Sequence, residues 1–465
     1  MTVENACQIT NGQIVGARSP RAKLRGVSIN SRAIRPGNAF VCLRGANVDG
    51  HRFARQAVEN GAGAVIADRL RAKRWRNWPV PVIGVEDPLT AMGDLAAEYR
   101  RLFPTRYVAV TGSVGKTTTK ELIAAALTAR FRVFKSPGNY NNLIGIPLTL
   151  LARSQRAQSV ESIGVLEFGM SSPGEIARLT EIVRPAWGVL TRIAPSHLLQ
   201  MRSLAAIAKA KRELFDHSDP STIAFLNNDD PFQRRWRDRW DRQTITYATG
   251  RDADFVCGPV TVSPRGGIAF TVNGRHQFEL PLPGSHNAAN ALAAIAVARH
   301  FKIPFEEIAA ALRKVKPVGQ RSLVTRIKAV TLLEDCYNAS PTATIAALEA
   351  LAVWPNAARR IAVLGAMREL GPSEKKWHRS VGQKAVRHAD IVITVGELAQ
   401  EYTSRVKSSG GGARIVTCRN RDAAAIALNK LVQPGDVILF KASHSEKFEE
   451  IVARVHEYLA GKKRP

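Results

Sequence analysis

The sequence predicts an α/β protein, with a central, mostly parallel, doubly wound sheet flanked by two further α/β units. Three observations carry this. Short apolar, β-branched runs alternate with helix-period segments along most of the chain. One run, residues 106–110, leads straight into a glycine-rich turn that opens a helix. The 465 residues, 45% hydrophobic, suffice for two to four cores at roughly 100–200 residues each.

Residues 1–102 read as a small α/β unit: strand-like runs at 39–43, 64–66 and 80–85 surround a helical stretch at 53–60, with Gly and Pro between them. Residues 103–318 read as the central unit. Pro104 precedes the run at 106–110, a helix is expected from Lys120 to Ala129, and strand–helix alternation continues to about 318. The segment 252–282 breaks that alternation. Its Gly266-Gly267 and Asn273-Gly274 turns predict an antiparallel appendage. Residues 319–465 form a third unit, with strand runs at 361–365, 391–396 and 437–440 separated by helical segments. The Ser/Gly stretch 408–412 reads as a surface loop and the tail 461–465 as frayed.

Composition narrows the class. No apolar run reaches the ~18 residues of a membrane span, and the N-terminus lacks a basic start followed by an apolar stretch. Five scattered cysteines without a C-x-x-C pair argue against a disulfide framework or a zinc site, and fit a reducing, cytoplasmic setting. The net charge of +28 raises nucleic-acid binding. Two basic clusters stand out, Arg69 to Arg76 and Arg234 to Arg242, the second with Trp236 and Trp240 spaced to share a helical face. Neither belongs to a nucleic-acid module. The basic residues spread along the whole chain, so solvated arginine faces are the better reading and no nucleic-acid partner is expected.

The sharpest motif is Thr111-Gly112-Ser113-Val114-Gly115-Lys116-Thr117-Thr118, between a strand and a helix. Successive N–H groups and the helix N-terminus suit phosphate oxygens. Lys116 would reach the β- and γ-phosphates of ATP, and the Thr117 hydroxyl would hold Mg²⁺. The longer form of this loop has a glycine where Val110 stands. Further on, an apolar run at 162–166 ends at Glu167, where a carboxylate faces the ligand crevice of an α/β sheet and could take Mg²⁺. Asn287 and Asn290, three apart, would face one side of a helix with amides suited to adenine.

A compact T-G-x-x-G-K-T loop followed by Gly138-Asn139-Tyr140-Asn141-Asn142-Leu143-Ile144-Gly145-Ile146-Pro147 resembles the Mur ligase family. The second string is similar to the G-N-x-N-N-x-I-G-x-P segment of its D-alanyl-D-alanine-adding members. Similarity runs from about Gly26 to Ile451. The resemblance implies three domains: residues 1–102 binding the UDP end of a UDP-muramoyl-tripeptide, 103–318 binding ATP, and 319–465, Rossmann-like, binding the incoming dipeptide. It implies ligation through an acyl phosphate, with D-alanyl-D-alanine as acceptor. Asn139, Asn141 and Asn142 fall to substrate.

The family places a histidine for a second Mg²⁺ where His197 stands, so two ions are implied. Its A-K-x-x-[IL]-F segment carries a carbamylated lysine; Lys211 is the match and Lys209 the weaker one. His197, Lys211 and Lys116 are the implied catalytic set. Arg321 matches an arginine supplied to ATP. Asp335, Tyr337 and Asn338 lie in a string similar to D-x-Y-N-A-N-P, and they are implied as nucleotide and substrate contacts. Ser28, Asn30, Ser31, Arg32, Asp49 and His51 resemble the uridine-nucleotide segment. The chain departs from the family pattern at Asn30, Leu199, Met201, Ser340, Ala366 and His444. A monomer is expected. Three rivals stay open: a sister ligase adding another amino acid, a basic ATPase acting on nucleic acid, and a scaffold impaired by those departures.

Overall fold

The computed structural model describes residues 1–17, 19–45, 47–153, 161–404 and 412–461. The loop expected at 408–412 lies outside them except for Gly412, as does the expected tail beyond Gly461. Every large sheet is α/β, as the sequence predicts. The central sheet holds seven parallel strands in the order Phe255–Val256, Thr244–Ala248, Ile223–Asn227, Trp187–Leu190, Thr105–Thr111, Ser162–Glu167, Val133–Lys135. The chain leaves Thr105–Thr111 on one side and returns on the other, which makes its C-terminal end a topological switch point. Val108, Ala109 and Val110 are fully buried, as a strand covered on both faces requires.

Helix Lys116–Leu127 packs against helix His286–His300. The latter buries residues all round, with Ala288, Ala291, Ala293, Ala294, Ala296 and Ala298 allowing close approach. The N-terminal sheet pairs Gln13–Gly16 antiparallel to Pro81–Val85; Ala64–Asp68, Asn38–Val41 and Gly26–Ser28 follow in parallel. The C-terminal sheet has six strands. Leu323–Ile327 runs antiparallel to Val330–Glu334, and the other pairings are parallel.

Three local expectations change. The helix expected from Lys120 begins at Lys116, directly on Gly115, whose φ of 83° lets the loop turn into the helix. The appendage is smaller than 252–282. Asp254 accepts hydrogen bonds from the Thr246 amide and hydroxyl (both 2.7 Å), and Phe255–Val256 thereby joins the parallel sheet. Thr261–Val262, Ile268–Val272 and His276–Leu280 form the antiparallel sheet of this segment, with Cys257 bridged to Val272 beside it. Helix Pro231–Arg237 stops before Trp240, yet Trp236 and Trp240 still stack at 5.9 Å, and Trp240 packs on Phe215 at 5.0 Å. The aromatic residues of that basic cluster therefore serve the core.

Helix Glu374–His388 crosses the 398–402 turn so closely that a Cβ on Gly382 would lie 1.6 Å from the Tyr402 carbonyl oxygen. Gly382→Ala should lower stability by about 1–3 kcal/mol through overpacking. Calorimetry of the full chain should show a lowered unfolding midpoint; an unchanged one would mean that the helix shifts freely.

Candidate active site

The phosphate loop is built by close contact. Gly112 has φ 145°, and a Cβ there would meet Thr191 Oγ1 at 2.0 Å. Ser113 donates its amide to the Arg192 carbonyl (2.7 Å), and Thr191 Oγ1 donates to the Val114 carbonyl (2.6 Å). On the other side, a Cβ on Gly115 would lie 2.3 Å from Asn290 Oδ1. Asn290 is buried, accepts from Thr119 Oγ1 (3.2 Å) and donates to Asn287 Oδ1 (2.9 Å), while Asn287 donates to the Pro283 carbonyl (2.7 Å). The two amides expected to read adenine line the cavity, but in this structure they buttress the loop from behind.

A cavity of about 1110 Å³ opens over the loop, between the central and C-terminal sheets. Ser113 Oγ is buried on its wall and has no hydrogen-bond partner among the described residues, as an anion-binding loop would leave it. Lys116 Nζ donates to the Ser113 carbonyl (3.3 Å). Lost hydration lowers its pKa, which the Glu167 carboxylate opposes and Arg321 reinforces. Thr117 Oγ1 donates to Glu167 Oε2 (2.6 Å), and Asn141 Nδ2 donates to Glu167 Oε1 (2.8 Å). Strand end, loop and the 138–147 string thus meet at one carboxylate. Asn142 also lines the cavity, with Oδ1 accepting from the Gly145 amide (2.8 Å), whereas Asn139 does not line it.

Lys211 and Lys209 separate by burial. Lys209 is exposed; Lys211 is buried, off the cavity wall but in electrostatic reach of Lys116 and Glu167, which are on it. Burial drives the Lys211 amine well below the usual range, Lys116 adds to this, and Glu167, Glu213 and Glu175 oppose it. His197 lines the cavity with φ 52°, and its Nδ1 meets Glu369 Oε2 at 2.6 Å.

The C-terminal unit closes the far wall. Arg321 lies over the Tyr337 ring at 3.5 Å, and Tyr337 stacks on His444 at 5.5 Å. Lys441 Nζ donates to Asp335 Oδ2 (2.7 Å) and to the Asn338 carbonyl (2.8 Å). Sequence reasoning missed Lys441, Thr191 and Glu369 as partners. Lys441 ends strand Asp436–Lys441, Thr191 follows strand Trp187–Leu190 and Glu369 follows strand Arg359–Leu364, so each stands at or past the C-terminal end of a strand.

The six residues expected at the UDP end lie in the N-terminal unit, away from this cavity. Ser31 and His51 are buried there: Ser31 Oγ donates to Gln56 Oε1 (2.7 Å), and His51 bridges Asp49 Oδ1 (2.7 Å) and the Asp68 amide (3.1 Å). Ser28 Oγ donates to the Asn30 carbonyl (3.0 Å), and Arg32 is exposed.

Family models match in three consecutive parts: "Mur ligase family, catalytic domain" over residues 23–100, "Mur ligase middle domain" over 110–298, and "Mur ligase, glutamate ligase domain" over 320–444. The UDP-N-acetylmuramoyl-tripeptide–D-alanyl-D-alanine ligase of Bacillus subtilis (strain 168) is 35% identical over 454 residues, 97% of each chain. The chain belongs to the Mur ligase family. Among solved structures, MurF of Acinetobacter baumannii superposes with a TM-score of 0.88 at 27% identity, covering 98% of each chain. MurF of Thermotoga maritima in complex with ADP gives 0.83 at 31% identity, covering 94% of this chain and 99% of that one.

Two departures from the Mur ligase pattern acquire a local account. Asn30 Oδ1 accepts from the Arg32 amide (3.0 Å), and Ser340 Oγ accepts from the Ala343 amide (3.4 Å) to cap helix Pro341–Ala352. Each replacement supplies the acceptor oxygen that the turn needs. His444 keeps a flat group against Tyr337. Nothing in the structure explains Ala366.

Gly115→Ala forces a Cβ onto Asn290 at a left-handed φ. ADP affinity measured by calorimetry should fall at least tenfold, and Gly115→Ala/Asn290→Ala should recover part of it. A single variant that binds ADP normally would mean the loop tolerates a shift.

Proposed function

We propose that this chain joins D-alanyl-D-alanine to UDP-N-acetylmuramoyl-tripeptide with hydrolysis of ATP, in peptidoglycan precursor synthesis. The observation that carries this is the 35% identity, along 97% of both chains, to a ligase named for that reaction. The terminal carboxylate of the tripeptide takes the γ-phosphoryl group, giving an acyl phosphate and ADP. The dipeptide amine attacks the acyl carbon, the new C–N bond forms, phosphate leaves, and the amine loses its proton. Such chemistry rests on positioning and on offsetting charge.

Residues 112–118 cradle the nucleotide phosphates, with the orphaned Ser113 hydroxyl and Lys116 directed to them. Arg321 and Asp335 meet the nucleotide from the C-terminal side, and Asn287 and Asn290 hold the loop in shape. Thr117 and Glu167 present hard oxygens 2.6 Å apart, a donor set that fits Mg²⁺ with phosphates and water filling the remainder. Mg²⁺, when bound, supplies charge neutralisation. His197 and carbamylated Lys211 would be the donors for a second ion; burial lowers the Lys211 pKa and so favours the neutral amine, the form that adds CO₂ and releases a proton. Asn141, Asn142, Tyr337 and Asn338 line the cavity and serve the substrate. Ser28, Asn30, Ser31, Arg32, Asp49 and His51 lie outside the cavity and serve the UDP end; Asn139, also outside it, is proposed as a substrate contact.

Residues 1–102, 103–318 and 319–465 act as substrate, ATP and dipeptide domains. No helix among the described residues is long and apolar enough to cross a membrane. We place the enzyme in the cytoplasm as a monomer without a nucleic-acid partner.

Phosphate release with ATP, Mg²⁺ and UDP-muramoyl-tripeptide should depend on D-alanyl-D-alanine and yield the pentapeptide by mass; release with another amino acid instead would move the chain to a sister specificity. Lys116→Ala should cut turnover roughly 10²–10³-fold, and retained full ADP release would sink the scheme. With ¹³C-labelled bicarbonate, a carbamate resonance should vanish in Lys211→Ala and persist in Lys209→Ala; the reverse would assign the wrong lysine.

A further inference from the structure

We infer that Glu369 is a positioning residue: it docks the C-terminal unit on the central one and, through that contact, fixes the imidazole of His197. The inference rests on the ligase reading above. Glu369 Oε2 meets His197 Nδ1 at 2.6 Å from 172 residues away in sequence. At the same point the Leu199 amide donates to the Glu369 carbonyl (3.0 Å). One residue of the C-terminal unit thus grips 197–199 by side chain and by backbone. Gly371, at φ 62°, comes close enough that a Cβ would lie 3.4 Å from Leu199 Cα.

Both partners are held in left-handed backbone, His197 at φ 52° and Glu369 at φ 65°. Neither is glycine, so each conformation costs free energy and persists only where the surroundings dictate it. Stability does not explain the pairing. The Glu369 side chain is 51% exposed, and a surface pair of this kind contributes little to folding. Its effect is directional. A carboxylate that accepts from Nδ1–H leaves Nε2 with the lone pair, ready to act as donor or base. The contact joins the two units, so docking of the C-terminal unit and orientation of the imidazole become one event.

The test uses the full-length chain with ¹⁵N-labelled histidine, the His197 signal being identified by its loss in His197→Gln. Wild type should show the Nδ1–H tautomer. Glu369→Ala should shift it toward Nε2–H and lower kcat roughly 10–100-fold, with KM for ATP changed less than threefold. Glu369→Gln, whose amide oxygen can still accept, should restore both. The inference falls if Glu369→Ala keeps the wild-type tautomer, or if Gln rescues neither tautomer nor rate. If wild type itself fails to ligate D-alanyl-D-alanine, the ligase reading falls, and the tautomer shift still decides whether Glu369 sets His197.

Discussion

The phosphate loop has no room for two side chains, and the site is arranged around that fact. Thr191 crowds Gly112 and Asn290 crowds Gly115, so the loop is wedged between the exit of the neighbouring strand and helix His286–His300. A wedged loop is fixed in shape, and its helix starts at Lys116 with the positive end of its dipole at the loop. Thr117 then falls within reach of Glu167, which stands at the end of the adjacent strand. Three elements distant in sequence are placed by one steric constraint.

Legibility followed sequence distance. The strand–loop–helix unit was readable because its signals are contiguous, and Glu167 because a carboxylate closing an apolar strand has a fixed outlook. What failed to show were partners across the fold. Asn290 carries an adenine-like amide spacing, yet its oxygen accepts from Thr119; the helix period gives the face but not the neighbour. Lys211 matches the family segment better than Lys209, but their difference in burial is not in the sequence; it depends on helix Leu204–Asp216 packing beside helix Glu175–Val183. The span of the appendage was misjudged because a single carboxylate, Asp254, recruits a short strand to the parallel sheet.

The positive charge acquires a plain physical setting. Some of the basic residues sit in exposed pairs with acidic partners, among them Arg130 with Glu307 and Arg421 with Glu450, contacts that contribute little each. The cation–aromatic residues of the two basic clusters are spent inside the fold: Trp75 stacks on Trp78 at 4.3 Å, and Arg242 lies over Phe215 and Trp240. The tryptophans of both clusters are thus half-buried against the protein's own core.

The order of the central sheet has a bearing on how the chain behaves among its own copies. Its two outer strands are three and two residues long, Val133–Lys135 and Phe255–Val256. A seven-stranded parallel sheet with long margins would offer rows of unpaired amides to any passing strand. Margins this short, one ending on a lysine, give an incoming chain almost no template, and like-charged surfaces add repulsion. The central sheet therefore offers little template for edge-to-edge pairing between copies of the chain.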